Sequence, residues 1–349
     1  MKQASFEFDI LTPCFCGGAD PKSTAEIRPT SIRGQLRWWF RTLGGFRSLC
    51  ATSVRDQERM LFGHIAGNLG SASKLVVRVF PSSIKLGVKD SAQLGHHNFS
   101  DPAFLSFPMQ SRANQYAGRG VAEGSFGIQI LWRGSSILWD DILALIAVLG
   151  HLGSLGFRSR RGFGALAFKR NPPSLKAALD RFANSDQLLV RTLGVSSQGE
   201  VLARLGRWLK GWRAHGRTGN NAAEQRFPGF RWAKSDHDQG AAVLAHRPDR
   251  GPTYRPALGL PIVQYFSGGR GTVTWDFVAE AGKGRFASPI LLRPHRDSTN
   301  RLHALVIFAD ARAWQPGSAV HLNGQPREVS TELYEAMKAD PQLKPLLTS

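Results

Sequence analysis

The feature that most constrains the fold is an ordered switch of hydrophobic period along the first 170 residues. Phe6, Phe8 and Ile10 alternate with Glu7 and Asp9, the period-2 signature of a half-buried strand. From about Ser31 to Leu43 the period lengthens, and Leu36, Trp39, Phe40 and Leu43 share one helical face. A second short helix is predicted over Asp56 to Ile65, and Val76, Val77 and Val79 mark a strand over Lys74 to Phe80. Phe126, Ile128, Ile130 and Trp132 alternate again. Trp139 to Gly150 is an apolar helix with Asp140 and Asp141 in its first turn, where acids suit the helix dipole. After a glycine-rich turn, Gly164 to Lys169 predicts a fourth strand, while Pro81 to Gly124 is polar and turn-rich, an extended insertion.

The order is β-α-β-β-α-β with one extra helix, the ferredoxin-like arrangement shared by RNA-recognition domains. That domain is expected over residues 1–170, leaving 171–349 for a second α+β domain. There, Gly199 to His215 reads as an amphipathic helix, and Arg213 to Pro261 as a long polar loop or a partly ordered insertion. Strands follow at Ile262 to Phe266, Thr272 to Ala279, Ile290 to Arg293 and Leu302 to Ala309, with a last helix from near Thr331. The fold class predicted is α+β, two tandem ferredoxin-like (RRM-like) domains with long loop insertions.

Charge points to the partner. Lys and Arg number 45 against 26 Asp and Glu, a formal +19, and 33 of those cations are arginine. An arginine surplus suits bidentate phosphate contacts and stacking on bases, so nucleic acid is the leading partner class. The longest clean apolar run, Ile142 to Leu149, is too short to cross a bilayer. Acids at Glu7 and Asp9 stand where a signal peptide needs an apolar core, so a cytoplasmic location is expected. Cys14 and Cys16 alternate without a second pair, as either half of a metal site or two semi-buried thiols. No cofactor is implied.

Two segments concentrate the chemistry. Arg33, Arg37 and Arg41 recur at i, i+4 and i+8, one cationic row with no acid inside the helix to relieve it. It is either a solvated face or a phosphate-binding one. The second segment runs from Gly153 to Gly164 and holds Gly156, Arg158, Arg160, Arg161, Gly162, Phe163 and Gly164. Glycines permit close backbone approach and positive φ, and three arginines within four residues make a clamp on a sugar-phosphate backbone or a solvated basic turn. Arg161 to Phe168 matches the RNA-recognition strand signature except at Ala165, and lies on the fourth strand rather than the third, which argues against base stacking on the sheet. Gly17 and Gly18, ahead of the first helix, form either a phosphate loop or an ordinary turn. They lack the Gly-Lys-Ser/Thr ending of a P-loop, which argues against an NTPase. His64, His96, His97, His151 and His215 show no acid or base partner at a catalytic spacing. His151 ends a helix, where a cation is welcome. Asp236 and Asp238, flanking His237 in the predicted loop, are a minor metal candidate.

Leu11-Thr12-Pro13 with Gly17 to Asp20, followed by Ile27 to Arg41, resembles the N-terminal signature of RAMP proteins. It is most similar to the first-numbered RAMP subunit of the type III-B CRISPR (Cmr) effector complex. Gly153 to Gly164 resembles the glycine-rich loop of that superfamily, and Ala257 to Pro261 and Arg285 to Pro289 are similar to that subunit's C-terminal motifs. The resemblance implies two ferredoxin-like domains and assembly with other Cmr-complex subunits. It implies contact with guide CRISPR RNA and target RNA near the guide's 3′ end, and no catalysis. A stand-alone guide-processing ribonuclease of the same superfamily is the alternative.

Overall fold

The computed structural model describes residues 1–66, 69–80, 87–90, 101–106, 118–214, 226–249, 251–266, 271–279, 282–315 and 318–346. The first part of the chain runs β1 (Lys2–Ile10), α1 (Pro29–Thr42), α2 (Val54–Phe62), β2 (His64–Ala66), β3 (Leu69–Ser71) and β4 (Leu75–Phe80). It continues through β5 (Gly87–Asp90), α3 (Asp101–Ser106), β6 (Arg119–Glu123), β7 (Ser125–Trp132), α4 (Trp139–Leu152) and β8 (Leu166–Phe168). Strands β4, β7, β1 and β8 lie side by side in that order, all antiparallel. This is the ferredoxin-like sheet, with the first and third strands of the motif at its centre. Phe8 sits opposite both Phe126 and Phe168, with ring centroids 5.7 and 4.9 Å away. Leu36, Trp39 and Phe40 of α1 and Leu145, Ile146 and Leu149 of α4 are fully buried, as the helical periodicity predicts. Most of the predicted 81–124 insertion lies outside the described residues.

The same permutation recurs further on. After the short α5 (Leu175–Leu179) come β9 (Leu188–Ser196), α6 (Val201–Arg213), α7 (Phe230–Leu244), β10 (Ile262–Phe266), β11 (Gly271–Ala279) and β12 (Gly282–Gly284). Then follow β13 (Ile290–Arg296), β14 (Leu302–Ala309), β15 (Ala319–Leu322), β16 (Gln325–Glu328), α8 (Glu332–Lys338) and β17 (Lys344–Pro345). Strands β13, β14, β9 and β17 form a second four-stranded sheet in that order, so β9-α6-β13-β14-α8-β17 is a second ferredoxin-like motif. An inserted sheet ordered β10-β11-β15-β16, with β12 on β11, draws its strands from both connections.

Compactness divides the chain into Met1–Leu205 with Leu292–Ile307 and Lys344–Ser349, and Gly206–Leu291 with Phe308–Leu343. The second unit is built around Phe266, Val273, Trp275, Trp314, Val320, Leu322 and Val329. Within it the Asp340 carboxylate accepts hydrogen bonds from the indole N–H groups of Trp208 (2.7 Å) and Trp212 (2.9 Å).

The predicted loop over Arg213 to Pro261 is corrected: it contains the 15-residue helix α7. Its buried positions are Trp232, Ala233, Asp236, Gln239 and Gly240, small or polar apart from the indole, so no apolar stripe announces the helix. Asp236 is fully buried and accepts from Thr253 Oγ1, the Tyr254 and Arg255 backbone N–H groups and Arg255 Nε. That carboxylate is a structural anchor, and no group of three metal-ligating side chains occurs among the described residues. No helix among them is long and apolar enough to cross a membrane.

Candidate nucleic-acid interface

Helix α1 starts at Pro29, whose fixed φ suits a first helical position. Its arginine row does not face empty solvent. Arg33 Nη2 donates to the Phe62 carbonyl at the end of α2 (3.0 Å), where a cation complements the helix dipole. Arg37 Nε and Arg41 Nη1 both reach Glu58 Oε1, at 2.7 and 3.4 Å. The Glu58 side chain is 9% exposed, whereas those of Arg37 and Arg41 are 41% and 45% exposed. The relief expected from an outside anion is therefore partly supplied by α2. Three cations against one carboxylate still leave a net positive surface, and Arg37 and Arg41 carry its accessible part.

The glycine-rich segment is a tightly built turn. Gly156, Gly162 and Gly164 have φ of +81°, +92° and +65°. A Cβ at Gly164 would lie 1.9 Å from the Leu155 carbonyl oxygen, and one at Gly156 would lie 2.8 Å from that of Phe15. These glycines let the protein's own backbone close up. Gly162 is buried, and its carbonyl accepts from Thr12 Oγ1 at 2.7 Å. Phe163 is fully buried, its ring 5.1 Å from Phe15.

The arginines of the turn differ from one another. Arg158 has φ +61°, costly for a residue with a Cβ by about 1–2 kcal/mol. It is held there by Nε donating to the Leu105 carbonyl (2.7 Å), with Nη2 on the same oxygen. Arg160 lies over the ring of Trp38, 5.0 Å from guanidinium carbon to centroid. That contact joins the turn to α1, so the two segments singled out in the sequence meet in one place. Arg161 donates its N–H to the Arg158 carbonyl at 2.8 Å, closing the turn.

Residues 7–167 match the RAMP superfamily model. That stretch, the first ferredoxin-like motif, is similar to RAMP proteins. The CRISPR system Cmr subunit Cmr1-2 of Pyrococcus furiosus is 26% identical over 191 residues, 48% of this chain and 95% of that protein. Cmr1-1 of the same organism is 27% identical over 168 residues, 47% of this chain and 47% of that protein, so the match spans about half of Cmr1-1. The crystal structure of apo Cmr1 from Pyrococcus furiosus shares the fold, with a TM-score of 0.57 and 15% identity, covering 99% of this chain and 98% of that one.

Other sequence candidates in the first part of the chain fall elsewhere. Gly17 pairs with Ala25, and the Gly18 N–H donates to the Thr24 carbonyl (3.0 Å), so this pair forms a closed turn well before α1. Cys14 and Cys16 are buried free thiols. Their mutual hydrogen bond, together with burial, holds Cys14 well above its ordinary pKa, and the same hydrogen bond lowers that of Cys16 against the effect of burial. His151 is buried, with Nε2 2.6 Å from the Pro173 carbonyl, and burial lowers its pKa. The cation expected there is a neutral imidazole. His64 is exposed beside Ser71 Oγ, while His96, His97 and His215 lie outside the described residues.

On one face of the first sheet the central strands present Gln3, Ser5, Glu7 and Asp9 from β1 and Ser125, Gly127, Gln129 and Leu131 from β7, with Phe80 of β4 beside Gly127. An RNA-recognition domain carries its stacking aromatics on such strands. The central strands carry none on this face, and the edge strand β4 adds Phe80, 36% exposed. Trp38 and Glu58 were not singled out in the sequence. Trp38 follows Arg37 off the buried 36, 39, 40 stripe, and Glu58 is an acid flanked by Arg55 and Arg59; both are visible only as exceptions to their surroundings.

Proposed function

We propose that this chain is a Cmr1-type subunit of a CRISPR Cmr complex and binds guide or target RNA near the guide's 3′ end without cutting it. The surface made by Arg37 and Arg41 of α1 and by Arg158, Arg160 and Arg161 of the glycine-rich turn holds the sugar-phosphate backbone. The observation that carries this reading is the Arg160–Trp38 stack, which assembles two separate basic segments into one half-exposed cationic surface. Such a surface gives affinity without sequence preference, as phosphate contacts do. The similarity to Cmr1-2 and Cmr1-1 supports the assignment to the complex.

The test is isolation of the tagged full chain from its host with sequencing of bound RNA and identification of co-purifying proteins. Stoichiometric recovery of other Cmr subunits with guide RNA is expected. Recovery of the chain alone, together with cleavage of labelled repeat RNA by the purified protein, contradicts the proposal and favours a processing ribonuclease.

A further inference from the structure

Phe157 is 43% exposed where the glycine-rich turn begins, paired with Phe15. Single exposed apolar side chains are ordinary on protein surfaces and by themselves mean little. This one is held out by its backbone. It stands between Gly156 at φ +81° and Arg158 at φ +61°, two successive neighbours in the left-handed region. Its own N–H donates to the Phe15 carbonyl at 3.0 Å, and Arg158 grips the Leu105 carbonyl through two nitrogens. The turn is thereby fixed from both sides of the ring. The strained non-glycine residue is Arg158, and such strain clusters at active sites and ligand clamps. Three residues along, Arg160 lies over Trp38 beside the α1 arginines.

We infer that Phe157 stacks on an unpaired base of single-stranded RNA while the neighbouring arginines hold the flanking phosphates. This rests on the RNA-binding reading above and adds the strandedness of the ligand. An aromatic face stacks on any base, so it is tolerant of sequence. Bases inside a duplex are stacked on each other and offer it no free face.

The experiment measures binding of a fluorescein-labelled, mixed-sequence single-stranded RNA, and of its duplex, to the full chain and its variants across a salt series. Phe157→Ala and Phe157→Leu are expected to weaken single-strand binding about tenfold, with Phe157→Trp close to the parent. The salt slope should not change, because no charge is removed. Duplex binding should be unaffected. A single abasic position scanned along the strand should weaken the parent at one register and leave Phe157→Ala indifferent. A Phe157→Ala variant that melts like the parent and binds the single strand as tightly overturns the inference, as does equal weakening on the duplex. The two readings separate: loss of the charge effect at Arg37 and Arg41 alone removes the phosphate reading, while loss of the Phe157 effect alone removes stacking.

Discussion

Helix α1 and the glycine-rich turn both read as phosphate-binding segments, yet they are built on opposite principles. In α1 the backbone is an ordinary helix and the function lies in side chains: Arg37 and Arg41 share Glu58 and remain about half exposed. In the turn the backbone is the demanding part. Gly156, Gly162 and Gly164 sit at positive φ against neighbours that exclude a Cβ, and Arg158 is engaged with the Leu105 carbonyl. A glycine-rich basic motif thus mixes two requirements that look alike in sequence. The glycines shape the turn, and partly exposed arginines stand both within it and beside it on α1.

That contrast breaks most sharply at Gly164. Gly164→Val places a branched side chain at φ +65° on top of the Leu155 carbonyl, and a loss of about 4 kcal/mol or failure to fold is expected in a thermal or urea melt. A stable Gly164→Val that had lost only RNA binding would return the glycine to a ligand role. Trp39, fully buried on α1, tests the other side of the comparison. Trp39→Ala should cost about 3–5 kcal/mol, while Arg37→Gln on the same helix leaves the melting temperature nearly unchanged.

Acid should act on the support of the turn before it acts on α1. Arg293 Nη2 donates to the Leu166 carbonyl of β8, and the His295 ring lies 5.5 Å from that of His151. His295 is pushed down to about 3 by burial first, then by Arg293 and His151. Its folded pKa is below the unfolded value of about 6.5, so its neutral form contributes stability above that pH. The contribution falls away as pH drops from about 6.5 towards 3, by roughly 2 kcal/mol at pH 5. Urea melts at pH 7 and 5 should show that difference in the parent and a smaller one in His295→Gln. Equal pH dependence in both would remove the histidine from the account.

Glu58 gives the smallest effect and sharpens the α1 side. Removing its charge takes an anion away from Arg37 and Arg41, so Glu58→Gln should bind RNA more tightly at low salt by about 1 kcal/mol. Weaker binding by a folded Glu58→Gln would mean that the carboxylate positions the arginines rather than competing for them.

The sequence was most legible where burial is one-sided. Phe6, Phe8 and Ile10 alternate because one face of β1 is covered and the other is not, and α1 shows helical period for the same reason, whereas α4 is legible as an apolar run because it is buried nearly all round. Strands Ile262–Phe266 and Leu302–Ala309 match their predicted limits. Strand β9, which opens the second ferredoxin-like motif, was not predicted: its burial does not alternate and Gly194 interrupts it. Helix α7 escaped because its buried face includes Asp236, Gln239 and Gly240. At the interface the cations were legible as a pattern, but their partners were not. Glu58, Phe62 and Leu105 are brought to the arginines by tertiary folding, and no spacing within either motif encodes them. Likewise, Leu260 pairs with Phe286, joining two C-terminal motifs that the sequence shows only as separate blocks.

The central claim is that accessible positive charge on α1 binds RNA phosphates. It is tested most directly by the salt dependence of single-stranded RNA binding in the Arg37→Gln/Arg41→Gln double variant. Each phosphate contact on a single strand contributes ~0.7 to the log–log slope, so loss of two should flatten it by roughly 1.4. Adding Arg33→Gln should change the slope little further, because Arg33 is engaged with the Phe62 carbonyl. A folded double variant whose salt slope equals that of the parent would contradict the account.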